Sequence, residues 1–280
     1  MKFTLEEYVA KIELSDSVKW HLEDTKKDFL KYLQALAKLP DDERFFIMNE
    51  DACKELSFSS LMENQKFVLD KKSESGLYFD SLDISKKRII DLHNFVINHS
   101  NSSHKIIEND YRNIDVSVVG LKDGKETILY NAVAPKEVES YMEQFYEVYK
   151  NYNLANISDP FIKSSIMHLL FVRVHPFRDG NGRTARLIHN LKFTDCVNKH
   201  YGTNLNISPL NISENININK ITYATDLDRI MFVLSDEENQ GINIFLDHIL
   251  NNYDERLYYI KNSGVRISEK SKKLVHILPR

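Results

Sequence analysis

The chain has 280 residues, 42% hydrophobic and 28% charged, long enough to bury a sizeable core as one large domain or two small ones. A formal net charge of −4 argues against a nucleic acid or an anionic membrane as partner, because such binding draws on clustered cationic charge. Cys53 and Cys196 are the only cysteines, too few for a disulfide framework, and no Cys/His spacing resembles a zinc site. With only 8 Gly and 6 Pro, helices are expected rather than a turn-rich sandwich. The start, Met-Lys-Phe-Thr-Leu-Glu-Glu-Tyr, lacks the pattern of a secretory leader, and no 18-residue uncharged stretch occurs; the expected address is the cytoplasm, without membrane attachment. The Asn-x-Ser sequons at Asn156 and Asn206 therefore carry no weight.

Taken in order, residues 4 to 38 show apolar positions at helical spacing (Leu5, Tyr8, Val9, Ile12, then Phe29, Leu30, Leu33, Leu36), which predicts one or two helices ending at Pro40. A third helix is expected from about Asp51 to Leu69. A fourth, from Ser85 to about Asn98, carries Ile89, Ile90, Leu92, Phe95 and Val96 as its apolar stripe, before a polar loop to His104. Between Val116 and Tyr130 two short β-branched stretches flank Asp123-Gly124, the pattern of a β-hairpin. An isolated hairpin needs support, so it should rest on the helical body and keep an edge for solvent or a partner.

Helix returns from Pro135 to Tyr152. Ser158-Asp159-Pro160 gives an N-cap with proline at the first helical position, predicting a helix to Val174 that Pro176 stops. Another helix should start near Asn181 and run to Cys196. Beyond an Asn/Ile-rich stretch at 204 to 221, helices are expected at about Tyr223 to Leu234 and Ile242 to Ile260. No internal repeat and no Pro/Gly/Ser linker divides the chain. Residues 1–84 and 201–280 read as helical additions to a core at 85–200.

The chemistry concentrates in His175-Pro176-Phe177-Arg178-Asp179-Gly180-Asn181-Gly182-Arg183-Thr184-Ala185-Arg186. Gly180 and Gly182 permit positive φ and close backbone approach, so successive amides can face one hollow at a helix start, where the macrodipole favours anions. Arg183 and Arg186 share a helical face, and guanidinium forks suit phosphate oxygens. Four of eleven arginines lie between 173 and 186 in an acidic chain. Asp179 beside a phosphate site requires a divalent cation between them, and Mg²⁺ typically takes one or two carboxylates plus phosphate oxygens. His175 is the natural general base for a Ser, Thr or Tyr hydroxyl.

This stretch resembles the complete signature of Fic-domain proteins. The resemblance implies a mainly α, Fic-type helical bundle with a small β-hairpin flap and extra helices at both ends. It implies transfer of AMP from ATP to a hydroxyl of a protein target, or of the chain itself. His175 would be the base and Asp179 the ligand of Mg²⁺ or Mn²⁺. Gly180, Asn181, Gly182, Arg183 and Arg186 would hold ATP phosphates, and Pro176 and Phe177 would be structural. Relatives that phosphorylate instead have Lys at the position of Gly182, so glycine favours adenylyl transfer. His168 and Phe171 resemble the family's approach to the histidine, and Tyr111-Arg112 a structural pair ahead of the flap, although the glycine that often precedes that pair is absent. The flap, 116–130, would take the target's main chain by strand addition, with Val116, Val118 and Ile128 as docking residues.

Upstream, Ser59-Ser60-Leu61-Met62-Glu63-Asn64 is similar to the inhibitory Ser/Thr-x-x-x-Glu-Gly/Asn motif of some Fic proteins. Glu63, with Ser59 and Asn64, would then pair with Arg186 and keep the γ-phosphate from seating. Two other activities fit the same residues: removal of AMP with Glu63 aligning a water, and a non-catalytic nucleotide-binding adaptor. Gly180 to Ala185 also matches G-x-G-x-x-A, but a Rossmann site needs βαβ units that the helical periodicities do not offer. An ordinary loop with a solvated basic helix start would not assemble so many demanding residue types. The same residues also fit Glu63 as a solvated helix residue, the hairpin as scaffold, His93, His168 and His189 as core histidines, and Tyr223 as a core residue or adenine neighbour. Neither the target protein nor the oligomeric state is legible, a homodimer included.

Overall fold

Two helices without a polar face set the architecture. All of α6 (Pro160–Val174) is buried, as is most of α7 (Asn181–Tyr201), the behaviour expected of helices that must be wrapped by others. They pack on each other more extensively than any other pair of elements. This computed structural model describes residues 3–63, 65–66, 82–100, 107–122, 125–151, 157–230 and 232–274. Around α6 and α7 lie α1 (Leu5–Ala10), α2 (Asp16–Ala37), α3 (Asp41–Leu61), α4 (Lys86–Asn98), α5 (Pro135–Lys150), α8 (Ser213–Ile218), α9 (Lys220–Asp228) and α10 (Asp236–Leu274). One apolar cluster runs from Leu5 to Leu257 through all three parts of the sequence. The chain is thus mainly helical, with a small antiparallel hairpin of β1 (Ser117–Lys122) and β2 (Lys125–Asn131).

The polar groups of α6 are answered locally. The Asp159 cap accepts from the Phe161 amide at 3.0 Å, and the Ser164 and Ser165 hydroxyls donate to carbonyls one turn back. Buried Lys163 donates to the Val148 and Asn151 carbonyls at the end of α5, supplying partners that a helix terminus lacks.

Several boundaries depart from the periodicity reading. The third helix starts at Asp41 rather than Asp51 and stops at Leu61; residues 67–69 of the expected span lie outside the described residues. Pro40 both ends α2's exit and caps α3, whose first turn of Asp41, Asp42 and Glu43 suits the positive end of the dipole. The helix expected to reach Leu234 stops at Asp228, because the chain turns at Phe232 (φ 58°), whose amide donates to Glu238 and whose ring packs on Tyr8. The Asn/Ile-rich stretch contains α8, and the last helix starts at Asp236 rather than Ile242.

The hairpin rests on the body through Tyr130, which is buried, lies under Arg173 at 3.9 Å and donates to the Val172 carbonyl at 3.3 Å. Val118 pairs with Tyr130 and Val119 with Ile128 across a register shift between Val118 and Val119. Val118 consequently packs against the core, whereas Val119 and Ile128 are exposed.

His93, His168 and His189 are all buried. Burial pushes His93 down to about 4 and His189 to about 3, and holds His168 well below the ordinary imidazole value. Unfolded, these groups take up protons below pH 6.5 that the folded chain refuses, so stability is present above that pH and falls toward pH 4, by about 1.4 kcal/mol per pH unit for each group. The urea midpoint should therefore drop between pH 7 and pH 5, and His189→Phe should flatten that slope by roughly one proton's worth.

Candidate functional site

The connection between α6 and α7 must reverse the chain at the centre of the core, and its backbone is held from several sides. His175 ends α6 in the left-handed region (φ 55°) and its amide donates to the Phe171 carbonyl. Its Nδ1 lies 3.1 Å from the Val172 carbonyl. A carbonyl only accepts, so Nδ1 carries the proton and Nε2 keeps a free lone pair. Burial lowers the imidazole to about 4, opposed by the Val172 carbonyl and assisted by Arg112. It is therefore neutral at pH 7, in the form a general base requires.

Arg112 fixes this histidine in place. Its amide donates to the Pro176 carbonyl at 2.8 Å, and its guanidinium donates to the carbonyls of His175 (2.7 Å), Ile114 (2.8 Å) and Val133 (2.5 Å). Ile114 precedes β1 and Val133 follows β2, so one side chain ties both feet of the hairpin to the loop. This is the physical content of the Tyr111-Arg112 pair.

Phe177 is buried and stacks on His93 at 3.9 Å. Asn181 grips its backbone at both ends, Oδ1 accepting from the Phe177 amide at 2.9 Å and Nδ2 donating to its carbonyl at 2.8 Å. The Asn181 amide thus shapes the loop. Gly180 is required twice over: its φ is +74°, and a Cβ there would stand 2.8 Å from Ile97 Cδ1. As the N-cap of α7 it offers no side-chain cap, which leaves first-turn amides available to an anion. Exposed Arg178 makes a two-pronged ion pair with buried Glu108.

Asp179 Oδ1 accepts from the Gly180 amide at 2.6 Å and Oδ2 pairs with Arg183 at 3.1 Å. Among the described residues no group of three or more His, Cys, Asp or Glu could hold a metal ion. One half-exposed carboxylate fits a hard divalent cation only where phosphate oxygens and water complete the shell, which is Mg²⁺-like chemistry.

Arg183 and Arg186 are each 1% exposed. Arg186 Nε donates to the Ser59 hydroxyl at 2.7 Å, and its NH2 to the Ser59 carbonyl (2.8 Å) and to Glu63 (3.2 Å). The sequence pairing of Ser59 and Glu63 with Arg186 is thus a contact in space; Asn64 lies outside the described residues. Glu63 sits in the turn past α3, and a Cβ on Gly182 would meet its Oε1 at 3.0 Å. Sequence reading missed Gln65, whose Oε1 accepts from Arg183 at 2.7 Å; a polar residue past the helix end has no periodicity to reveal it. Arg183 Nε is buried without a partner. Tyr223 directs its hydroxyl at His168 Nε2, 2.5 Å away.

Replacing Arg112 by Leu would strand three carbonyls that it now serves. The expected loss in urea denaturation is about 3 kcal/mol or more, and Arg112→Lys should recover only part of it, since an ammonium cannot span the fork.

Residues 83–192 match the model of the Fic/DOC family. A 135-residue stretch, 47% of the chain, is 31% identical to 29% of a Nematostella vectensis protein named protein adenylyltransferase Fic. A 59-residue stretch, 20% of the chain, is 44% identical to 12% of the Caenorhabditis elegans protein adenylyltransferase fic-1. The chain thus aligns with less than a third of the length of either relative. Among solved structures, a Fic family protein from Desulfovibrio desulfuricans G20 superposes with TM-score 0.57 at 16% identity, over 90% of this chain and 76% of that one. A Fic domain containing signaling protein from Bacteroides thetaiotaomicron VPI-5482 gives 0.58 at 17%, over 85% and 97%. These structural likenesses establish the fold, and the match to the Fic/DOC family model falls on residues 83–192, the stretch that carries the signature.

Proposed function

We propose that this chain is a protein adenylyltransferase that Glu63 holds in check. The observation that carries the reading is an imidazole with a free Nε2 beside a helix start that is uncapped and flanked by two buried arginines. The target's hydroxyl oxygen attacks the α-phosphorus of ATP, the bond to the bridging oxygen breaks, and pyrophosphate leaves with its electron pair. The hydroxyl proton passes to His175 Nε2. First-turn amides of α7, with Arg183 and Arg186, bind the phosphates, Arg186 toward the γ-phosphate. Asp179 would hold Mg²⁺ or Mn²⁺, which supplies charge neutralisation on the leaving group. Asn181 contributes by keeping the loop open in the right shape.

In this reading residues 85–200 form the transferase core, 1–84 carry the inhibitory α3, and 201–280 buttress it. The target's main chain adds to the free edge of the hairpin, with exposed Ile128 on the strand and Val116 at its foot opposite Ala132 as docking residues; Val118, turned to the core, supports the strand. Glu63 blocks because Arg186 cannot serve carboxylate and γ-phosphate at once. A second reading, removal of AMP, draws support from the same carboxylate: the charge of Glu63 partly opposes the lowering that burial imposes on His175, a placement from which it would align a water for attack on the modified side chain. Loss of AMP release from a pre-modified target in Glu63→Ala would favour it.

Labelled ATP decides the main reading. Glu63→Gly should label itself or a lysate target at least about tenfold faster than the parent chain, and His175→Ala in that background should lose roughly a hundredfold or more. Equal labelling by Glu63→Gly and the parent would remove the inhibitory role. Gln65 holds the other arginine, so Glu63→Gly with Gln65→Ala should label roughly two- to fivefold faster than Glu63→Gly alone.

A further inference from the structure

Three residues of α3, Asp51, Glu55 and Ser59, follow one another at four-residue spacing and so share a helical face. Ser59, at the far end, holds Arg186. Glu55, 4% exposed, accepts from the Ser213 amide at 2.8 Å, the Ser213 hydroxyl at 2.5 Å and Asn190 Nδ2 at 3.1 Å. Asp51 accepts from Asn211 Nδ2 at 2.7 Å and pairs with Arg256 of α10, whose other arm reaches Glu214 at 3.1 Å. Apolar contact adds little to this polar seat. Of the buried apolar residues of α3 only Leu56 joins the main core, whereas Met48 and Ala52 meet Ile207 in a cluster apart from it. A cavity of about 30 Å³, room for a water, remains where Ala52, Glu55 and Leu56 face Leu187, Asn190 and Thr194 of α7. A helix seated in this way detaches at lower cost than one buried in hydrocarbon, because water replaces the partners of polar groups but does not answer exposed apolar area.

We propose that α3 is a latch that leaves and returns as one unit, and that the contacts of Asp51 and Glu55 with Asn211, Ser213 and Arg256 set how much of the time its end covers Arg186. The inference rests on the inhibitory reading of Glu63 and deepens it, since the strength of the brake then lies in residues outside the signature loop. Loosening the seat raises the fraction of molecules in which Arg186 is free, and activity follows that fraction. Where Glu63 is already removed the brake is off, and the same loosening has little left to release.

The test places Asp51→Ala and Glu55→Gln in the parent chain and in Glu63→Gly, and reads self-labelling with ATP together with amide hydrogen exchange along α3. Each substitution should speed labelling of the parent roughly three- to tenfold and leave Glu63→Gly within about twofold. Unchanged labelling of the parent, or an equal gain in both backgrounds, overturns the inference. Exchange needs neither nucleotide nor turnover. In the parent, Asp51→Ala should speed exchange at 57–62 by about the same factor as at 52–56, because the helix opens as a unit; acceleration confined to 52–56 overturns the latch. Failure of Glu63→Gly to label would count against the transfer reaction and leave the exchange comparison to decide this one. If Glu55→Gln does not fold, Asp51→Ala decides alone.

Discussion

A guanidinium with almost no contact with water has to be answered by something, and at Arg186 the answer determines the state of the whole site. In the present arrangement α3 answers it, with a hydroxyl, a carbonyl and a carboxylate from within five residues of sequence. Removing one partner of a buried charge leaves a large uncompensated cost, so contacts of this kind hold until a better ligand replaces them. Triphosphate oxygens are such a ligand in the proposed reaction. Arg183 repeats the arrangement with Gln65 and Asp179, so both candidate phosphate groups of α7 are engaged by the protein itself.

That competition depends on where α3 is anchored. Its Glu55 accepts from the Ser213 amide and hydroxyl and from Asn190, and its Asp51 meets Arg256 and Asn211. Both carboxylates lie on the face that also carries Ser59, so the C-terminal helices fix the helix whose last turn reaches Arg186. The two ends of the chain therefore act on the central loop through one another. Arg112 plays the corresponding part on the opposite side, where a single fork joins the feet of the hairpin to His175, so that the histidine and the hairpin share one support.

Much of this was legible beforehand because the signature residues are local. His175, Asp179, the glycines and the arginines lie within one turn and one helix start, and spacing alone brings them together. Glu63 was readable only through its motif, since nothing in a periodicity predicts a contact across 123 positions. Asn181 illustrates the opposite case: the motif suggests a phosphate ligand, while its amide closes on the Phe177 backbone. Helix ends were the weakest part of the reading. Pro40 predicts a stop and also starts the next helix, and Phe232 turns the chain because its amide donates to a carboxylate on the following helix.

By itself the sequence determined the helical character, the hairpin and the gathering of the signature residues into one loop, because each is written in residue type and short spacing; the pairing of Glu63 with Arg186 was reached only through a motif resemblance. The tautomer of His175, the fork of Arg112, the hold of Gln65 on Arg183 and the contact of Tyr223 with His168 were decided only by the tertiary structure. Each of these is a hydrogen bond between groups far apart in the chain, and a donor acquires its acceptor only when packing has brought the two within 3 Å or so of one another.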